Sequence, residues 1–172
     1  MIMIFGPAGA GKSTQGALLA KRVKGKALSV GQICREKFQK YTKNAEMVPE
    51  DELAKAVIEE IESTGIEKKQ VILDGQPWST DSLGTKILIE HTDGVIIIDV
   101  NREECLKRLS ERGRDDDQLQ NWNKKLDMFE SRMPDYEAEF KKHRIKVLHV
   151  DGVGTIAKIS EKIFSLYQEI VQ

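Results

Sequence analysis

The sequence predicts an α/β fold, a three-layer α/β/α domain whose five-stranded parallel sheet carries helices on both faces. Short β-branched or apolar runs recur at 1–5, Lys26–Ser29, Gln70–Asp74, Gly94–Val100 and Ile145–Val150. Between them apolar residues fall at helical spacing, as in Leu53, Val57, Ile58 and Ile61, or Cys105, Leu106 and Leu109. With no internal repeat or low-complexity linker, the 172 residues fit one domain, 1–172, long enough to bury a core without disulfides or structural metals. Strands that alternate with helices build a mostly parallel sheet, whose ligands sit beyond the carboxyl ends of the strands.

Each element carries its own signal. Met1-Ile2-Met3-Ile4-Phe5 runs directly into Gly6, so a first strand is expected there and no signal peptide or membrane span. Pro49-Glu50-Asp51-Glu52 opens one helix, Ser79-Thr80-Asp81 a second and Asp115-Asp116-Asp117 a third. Pro134 interrupts the helical stretch 117–143, which predicts two helices or one kinked helix. Lys and Arg total 27 against 28 Asp and Glu, a balance that offers no electrostatic footprint for nucleic acid or an anionic membrane. Cys34 and Cys105 form neither a disulfide framework nor a zinc spacing, which suits a reducing cytoplasm. His91, His143 and His149 show no metal spacing.

Gly6-Pro7-Ala8-Gly9-Ala10-Gly11-Lys12-Ser13 is a Gly, four residues, then Gly-Lys-Ser, placed between a strand and a helix. Glycines let the backbone curl so that successive N–H groups point inward. The helix N-terminus adds roughly half a positive charge, and Lys12 supplies a mobile cation. Such a P-loop, or Walker A loop, is built to hold phosphates. Ser13 can offer its hydroxyl to a Mg²⁺ bridging two phosphates of ATP. The alternative, a merely flexible Gly-rich turn, would seldom coincide with a first strand and a following helix. Val71-Ile72-Leu73-Asp74-Gly75 is a second strand-end signal: Asp74 either orients the waters of that metal or simply forms an Asp-Gly turn.

These residues, read in order, resemble the adenylate kinase family of nucleoside monophosphate kinases. The phosphate loop with Thr14-Gln15 is similar to the family's opening motif, Ser29-Val30-Gly31-Gln32-Ile33-Cys34-Arg35 to its Ser-Thr-Gly-Asp-x-x-Arg, and Leu73-Asp74-Gly75-Gln76-Pro77 to its Leu-Asp-Gly-Phe-Pro. Val48-Pro49 matches a further position, Arg108 to Asp117 looks like the arginine-rich lid, and Val150-Asp151-Gly152 like the last strand's exit. The resemblance covers nearly the whole chain. It implies a P-loop NTPase-like sheet, an acceptor-binding segment at about 30–60 and a short lid at about 112–118, without zinc. It implies an ATP site made of Gly9, Ala10, Gly11, Lys12, Ser13, Thr14, Arg108 and Arg112, with Arg108 stacking on adenine. Gly31, Arg35, Val48, Gly75, Trp78, Arg114 and Lys125 would face the acceptor, and Lys12, Arg112, Arg114 and Lys125 would serve the transfer itself. Ser13 and Asp74 would hold Mg²⁺, partly through water. A monomer in the cytoplasm, binding ATP and AMP but neither nucleic acid nor membrane, is the expectation that follows.

Cations on a closing lid suit phosphoryl transfer, which is catalysed by positioning and by neutralising charge on the transferring oxygens. The bland alternative for Arg108, Arg112 and Arg114 is a solvated helix end. The acceptor half departs from the pattern. Val30 replaces the family's Thr, Gln32 its Asp, Ser82 its Gln and Trp78 the Arg after Pro77; Lys125 stands for another Arg, and the stretch from Arg35 to Val48 is short enough to lack a helix. Trp78 is either a structural aromatic or a stacking platform, and Arg35 either grips a phosphate or adds a charge to the solvated helix Glu36–Lys40. Three functions therefore stand side by side: transfer from ATP to a nucleoside monophosphate, transfer to another small acceptor, or a non-catalytic ATP-binding switch.

Overall fold

The computed structural model describes residues 1–43, 48–75, 83–112 and 119–172. Among them are five strands, β1 (Ile2–Phe5), β2 (Lys26–Ser29), β3 (Val71–Asp74), β4 (Gly94–Asp99) and β5 (Lys146–Asp151). All pair in parallel in the order β2-β3-β1-β4-β5, with Ile4 opposite both Asp74 and Ile96. The chain winds from β1 to β2 and β3 on one side, then crosses to β4 and β5 on the other. Winding therefore reverses at β1, and the crevice of a doubly wound sheet opens beyond Phe5.

Among the described residues the helices are α1 (Lys12–Arg22), α2 (Val30–Lys37), α3 (Gln39–Lys43), α4 (Glu50–Ser63), α5 (Leu83–Glu90), α6 (Arg102–Arg112), α7 (Leu119–Lys142) and α8 (Ile156–Val171). Side chains alternate across a strand, so a doubly covered sheet must be apolar on both faces. β1 meets that demand: Met3 and Phe5 join Leu73, Val95 and Ile97 under α4, α5 and α7, while Ile2 and Ile4 join Ile72, Ile96 and Ile98 under α1 and α8. Phe5 ends the strand between Tyr136 and Phe140, at ring centroid distances of 5.4 and 5.3 Å and steep interplanar angles. This edge-to-face cluster fixes α7 against the central strand.

Of the two alternatives for the stretch 117–143, two helices or one kinked helix, the structure has one helix, α7, with Pro134 inside it. Contacts on both sides of the proline hold it: Arg102 binds Asp127 and Glu130 before it, and Tyr136 and Phe140 pack on Phe5 after it. Glu36–Lys40 is not one solvated helix. α2 stops at Lys37 and α3 resumes at Gln39, because Phe38 and Tyr41 turn onto the core. Among its described residues the shortened stretch carries one helix of five residues, α3, after the end of α2. The helix openings expected at Ser79–Asp81 and Asp115–Asp117 lie outside the described residues. Among the described residues no helix is long and apolar enough to cross a membrane.

Candidate functional site

The phosphate loop leaves β1 at Gly6 and enters α1 through Gly11, whose φ of 90° places it in the left-handed region. Gly9 is required twice over. Its φ is 87°, and a Cβ there would lie 2.6 Å from the carbonyl oxygen of Cys105, so only glycine lets α6 press on the loop. No side chain caps α1 and no acidic residue stands in its first turn, which leaves its N–H groups directed at an external anion. Ala10 is buried beneath the loop, while Ser13 and Thr14 are exposed at its mouth.

Lys12 folds back over the loop, its Nζ donating to the carbonyls of Gly6 at 2.8 Å and Pro7 at 2.9 Å. Burial lowers its pKa from the ordinary lysine value, the negative charge of Asp74 opposes that, and the positive charge of Arg112 adds to it. The ammonium therefore lies within electrostatic reach of both residues. Ser13 Oγ donates to the carboxylate of Asp74, which is buried at the end of β3 opposite Ile4 and Ser29. A hydroxyl and a carboxylate converging on one spot form a hard oxygen donor set, the type that Mg²⁺ accepts alongside phosphate oxygens and waters.

On α6, Arg108 is held by Glu104 Oε1 at 2.8 Å and by the carbonyl of Gly152 at 2.9 Å, joining α6 to the exit of β5. Arg112, one turn on, is the last residue of α6 and is exposed. Arg114 lies outside the described residues. Beside the loop a groove of about 340 Å³ opens between Pro7, Asp99, Asp151, Leu126, Phe129 and Val153, on the β4–β5 side of β1.

The second half of the cleft begins where β2 ends. Ser29 caps α2 by accepting from the Gln32 N–H, and Gly31 and Arg35 lie exposed along that helix with the Arg35 guanidinium turned back toward Gly31. Lys37 binds Glu60 at 2.7 Å, tying α2 to α4. Val48 is buried ahead of the acidic first turn of α4. Gly75, at φ 105°, brings the exit of β3 against Val30, and a Cβ there would sit 3.0 Å from the valine Cβ. Lys125 is half-buried on α7. Trp78 and Ser82 lie outside the described residues.

The structure thus joins Ser13 to Asp74, sets Lys12 within electrostatic reach of Asp74 and of Arg112 at the end of α6, and carries Gly31 and Arg35 on α2, Val48 ahead of α4, Gly75 after β3 and Lys125 on α7. Glu104 was not singled out in the sequence, although its four-residue spacing from Arg108 on one helix is a readable ion-pair signal.

An uncapped helix start that faces a serine–carboxylate pair at the winding switch of a parallel sheet is the geometry of a P-loop nucleotide-binding domain. The model of a family described as an AAA domain matches residues 5–123. The chain is 30% identical to an adenylate kinase of Encephalitozoon cuniculi over 94% of both chains. It is 26% identical to one of Thermus thermophilus over 94% of both. It is 30% identical to one of Parabacteroides distasonis over 99% of this chain and 96% of that one. The chain belongs to the adenylate kinase family, the nucleoside monophosphate kinases among P-loop phosphotransferases.

Proposed function

We propose that this protein transfers the γ-phosphoryl group of ATP to a nucleoside monophosphate, AMP in the first place, so that ATP and AMP give two ADP. The observation that carries this reading is the convergence of Lys12 and the Ser13–Asp74 pair beyond the carboxyl ends of β1 and β3. The curated relatives that match across nearly the whole chain are adenylate kinases, which supports the same acceptor class.

In this account a phosphate oxygen of the acceptor attacks the γ-phosphorus, a new P–O bond forms, and the bond to the β-phosphate oxygen breaks with that oxygen keeping the electron pair. The loop N–H groups from Gly9 to Thr14 hold the β-phosphate. Lys12 leaves its carbonyl partners and follows the transferring group, while Arg112, Arg114 and Lys125 neutralise charge on the equatorial oxygens. Ser13 and Asp74 would hold Mg²⁺, which when bound shields the charge of the phosphates. Arg108 stacks on the donor base. Gly31, Arg35, Val48, Gly75 and Trp78 line the acceptor. We assign residues 1–172 to one domain with an acceptor segment at about 30–60 and a lid at about 112–118, acting as a cytoplasmic monomer independent of nucleic acid and membrane.

The test is ADP formation from Mg-ATP with AMP, CMP, UMP, GMP, dTMP or no acceptor. Strong turnover with one monophosphate, lost in Lys12→Ala, supports the proposal and names the acceptor. ATP binding without turnover on any of them overturns it. The departures at Val30, Gln32 and Trp78 favour one second reading, an acceptor other than AMP, which the same panel separates.

A further inference from the structure

Arg132 Nη1 is buried and has no hydrogen-bond partner among the described residues. An arginine cannot shed its charge, so a buried guanidinium N–H left unpaired is costly unless an acceptor arrives from outside. The position of Arg132 says where that acceptor would come from. Tyr136, one turn later on α7, packs on Phe5, the last residue of β1. α7 then runs down to the turn at Arg144 and the start of β5, so residues before Tyr136 lie beyond the carboxyl ends of the strands. At 1.5 Å rise per residue, Arg132 stands roughly 6 Å farther out than Tyr136, over the crevice.

Its side of the helix is equally defined. Lys125 and Arg132 are seven residues apart and share one stripe of α7. Of the three α7 residues that line the groove on the β4–β5 side, Leu126 and Glu130 are turned from Arg132 by roughly 120–160° and Phe129 by roughly 60° at 100° per residue, so their common direction lies roughly 110° from Arg132. Arg132 therefore lies on the side toward β3 and α4. The phenol of Tyr136 lies within electrostatic reach of both Arg132 and Glu50, the first residue of α4, which agrees with that placement. The sequence also puts Trp78, with no charge, directly after Pro77, so the β3 exit supplies no arginine to an acceptor phosphate.

We propose that Arg132 is a binding residue of the acceptor site, its free Nη1 donating to the phosphate oxygens of the monophosphate, with Lys125 two turns farther out on the same stripe. The planar guanidinium fork suits a phosphate dianion, and the burial of Nη1 limits its movement before the acceptor enters. This assignment rests on the phosphotransferase function proposed above.

Arg132→Met keeps the bulk and removes the charge, and Arg132→Lys keeps the charge and removes the fork. KM for AMP (or for whichever monophosphate the panel turns over best), KM for ATP, kcat and melting temperature are measured for both. The expected result is a rise in acceptor KM on the order of 10- to 100-fold for Arg132→Met. A smaller rise is expected for Arg132→Lys, with KM for ATP and melting temperature near wild type in both. Wild-type turnover with acceptor KM unchanged in Arg132→Met overturns the Arg132 assignment alone. A parallel rise in both KM values with a lowered melting temperature also overturns it, because that marks a structural role. Absence of wild-type turnover on every monophosphate overturns the function and the assignment together.

Discussion

The two halves of the cleft are built in different ways. As proposed, the ATP half is nearly contiguous in the chain: Gly6 to Thr14 form one loop and one helix start, and only Asp74, Arg108 and Arg112 come from elsewhere. The proposed acceptor half draws on α2, the start of α4, the exit of β3 and one stripe of α7, with little sequence proximity among them. A contiguous loop is constrained residue by residue through backbone geometry, as at Gly9, whereas a distributed site can move a charge from one element to another while the fold stays the same. In the proposed site Trp78 after Pro77 carries no charge, and Arg132, whose Nη1 has no hydrogen-bond partner among the described residues, supplies one from α7.

The contrast is sharpest where the chemistry is removed. Arg112→Ala should lower kcat on the order of 10³-fold with KM for ATP little changed, and Lys12→Ala should lower it at least as far, both read by ADP formation. Neither should lower the melting temperature, since Lys12 is held below its ordinary pKa and Arg112 is exposed. An equal loss of kcat and ATP affinity in Arg112→Ala would remove the reason for treating the end of α6 as catalytic.

Phe5 joins the two halves, because the rings that seat α7 pack on the strand that launches the phosphate loop. Phe5→Ala should destabilise the protein by about 3–5 kcal/mol in denaturant unfolding, through lost burial and the cavity left between Tyr136 and Phe140. The acceptor half alone is probed by Ser29→Ala, which removes the cap of α2 and should cost about 1 kcal/mol. If the halves are separable, its KM for the acceptor rises while KM for ATP stays constant.

The smallest effect is a pH dependence. Because the Lys12 pKa is lowered in the folded protein, the unfolded chain binds more protons between that value and the ordinary lysine value. Stability of the ligand-free protein, relative to Lys12→Met, should therefore rise with pH through that window. ATP affinity should fall across the same window, as the neutral amine ceases to attract phosphate. Thermal melts and ATP titrations over an alkaline pH series check both signs.

How far the sequence reveals this arrangement follows the same division. The five strands and the doubly covered sheet are legible because β1, β3 and β4 are continuous apolar runs. The phosphate loop is legible because its glycines, lysine and serine are adjacent. Asp74 is legible from its place at a strand end. Arg132 is not, since it looks like an ordinary helix charge until α7 is packed against Phe5. The break at Phe38 is hidden for a related reason: periodicity reports a helix, while burial of Phe38 and Tyr41 decides where it stops.

The most direct test of the central claim follows the phosphoryl group itself. ATP carrying ¹⁸O on its γ-phosphate is incubated with Mg²⁺, the protein and ¹⁵N-labelled AMP, and the products are read by mass spectrometry. The ¹⁸O is expected in the ¹⁵N-labelled ADP, on its terminal phosphate. Recovery of the ¹⁸O in inorganic phosphate alone, or in unchanged ATP, would contradict it.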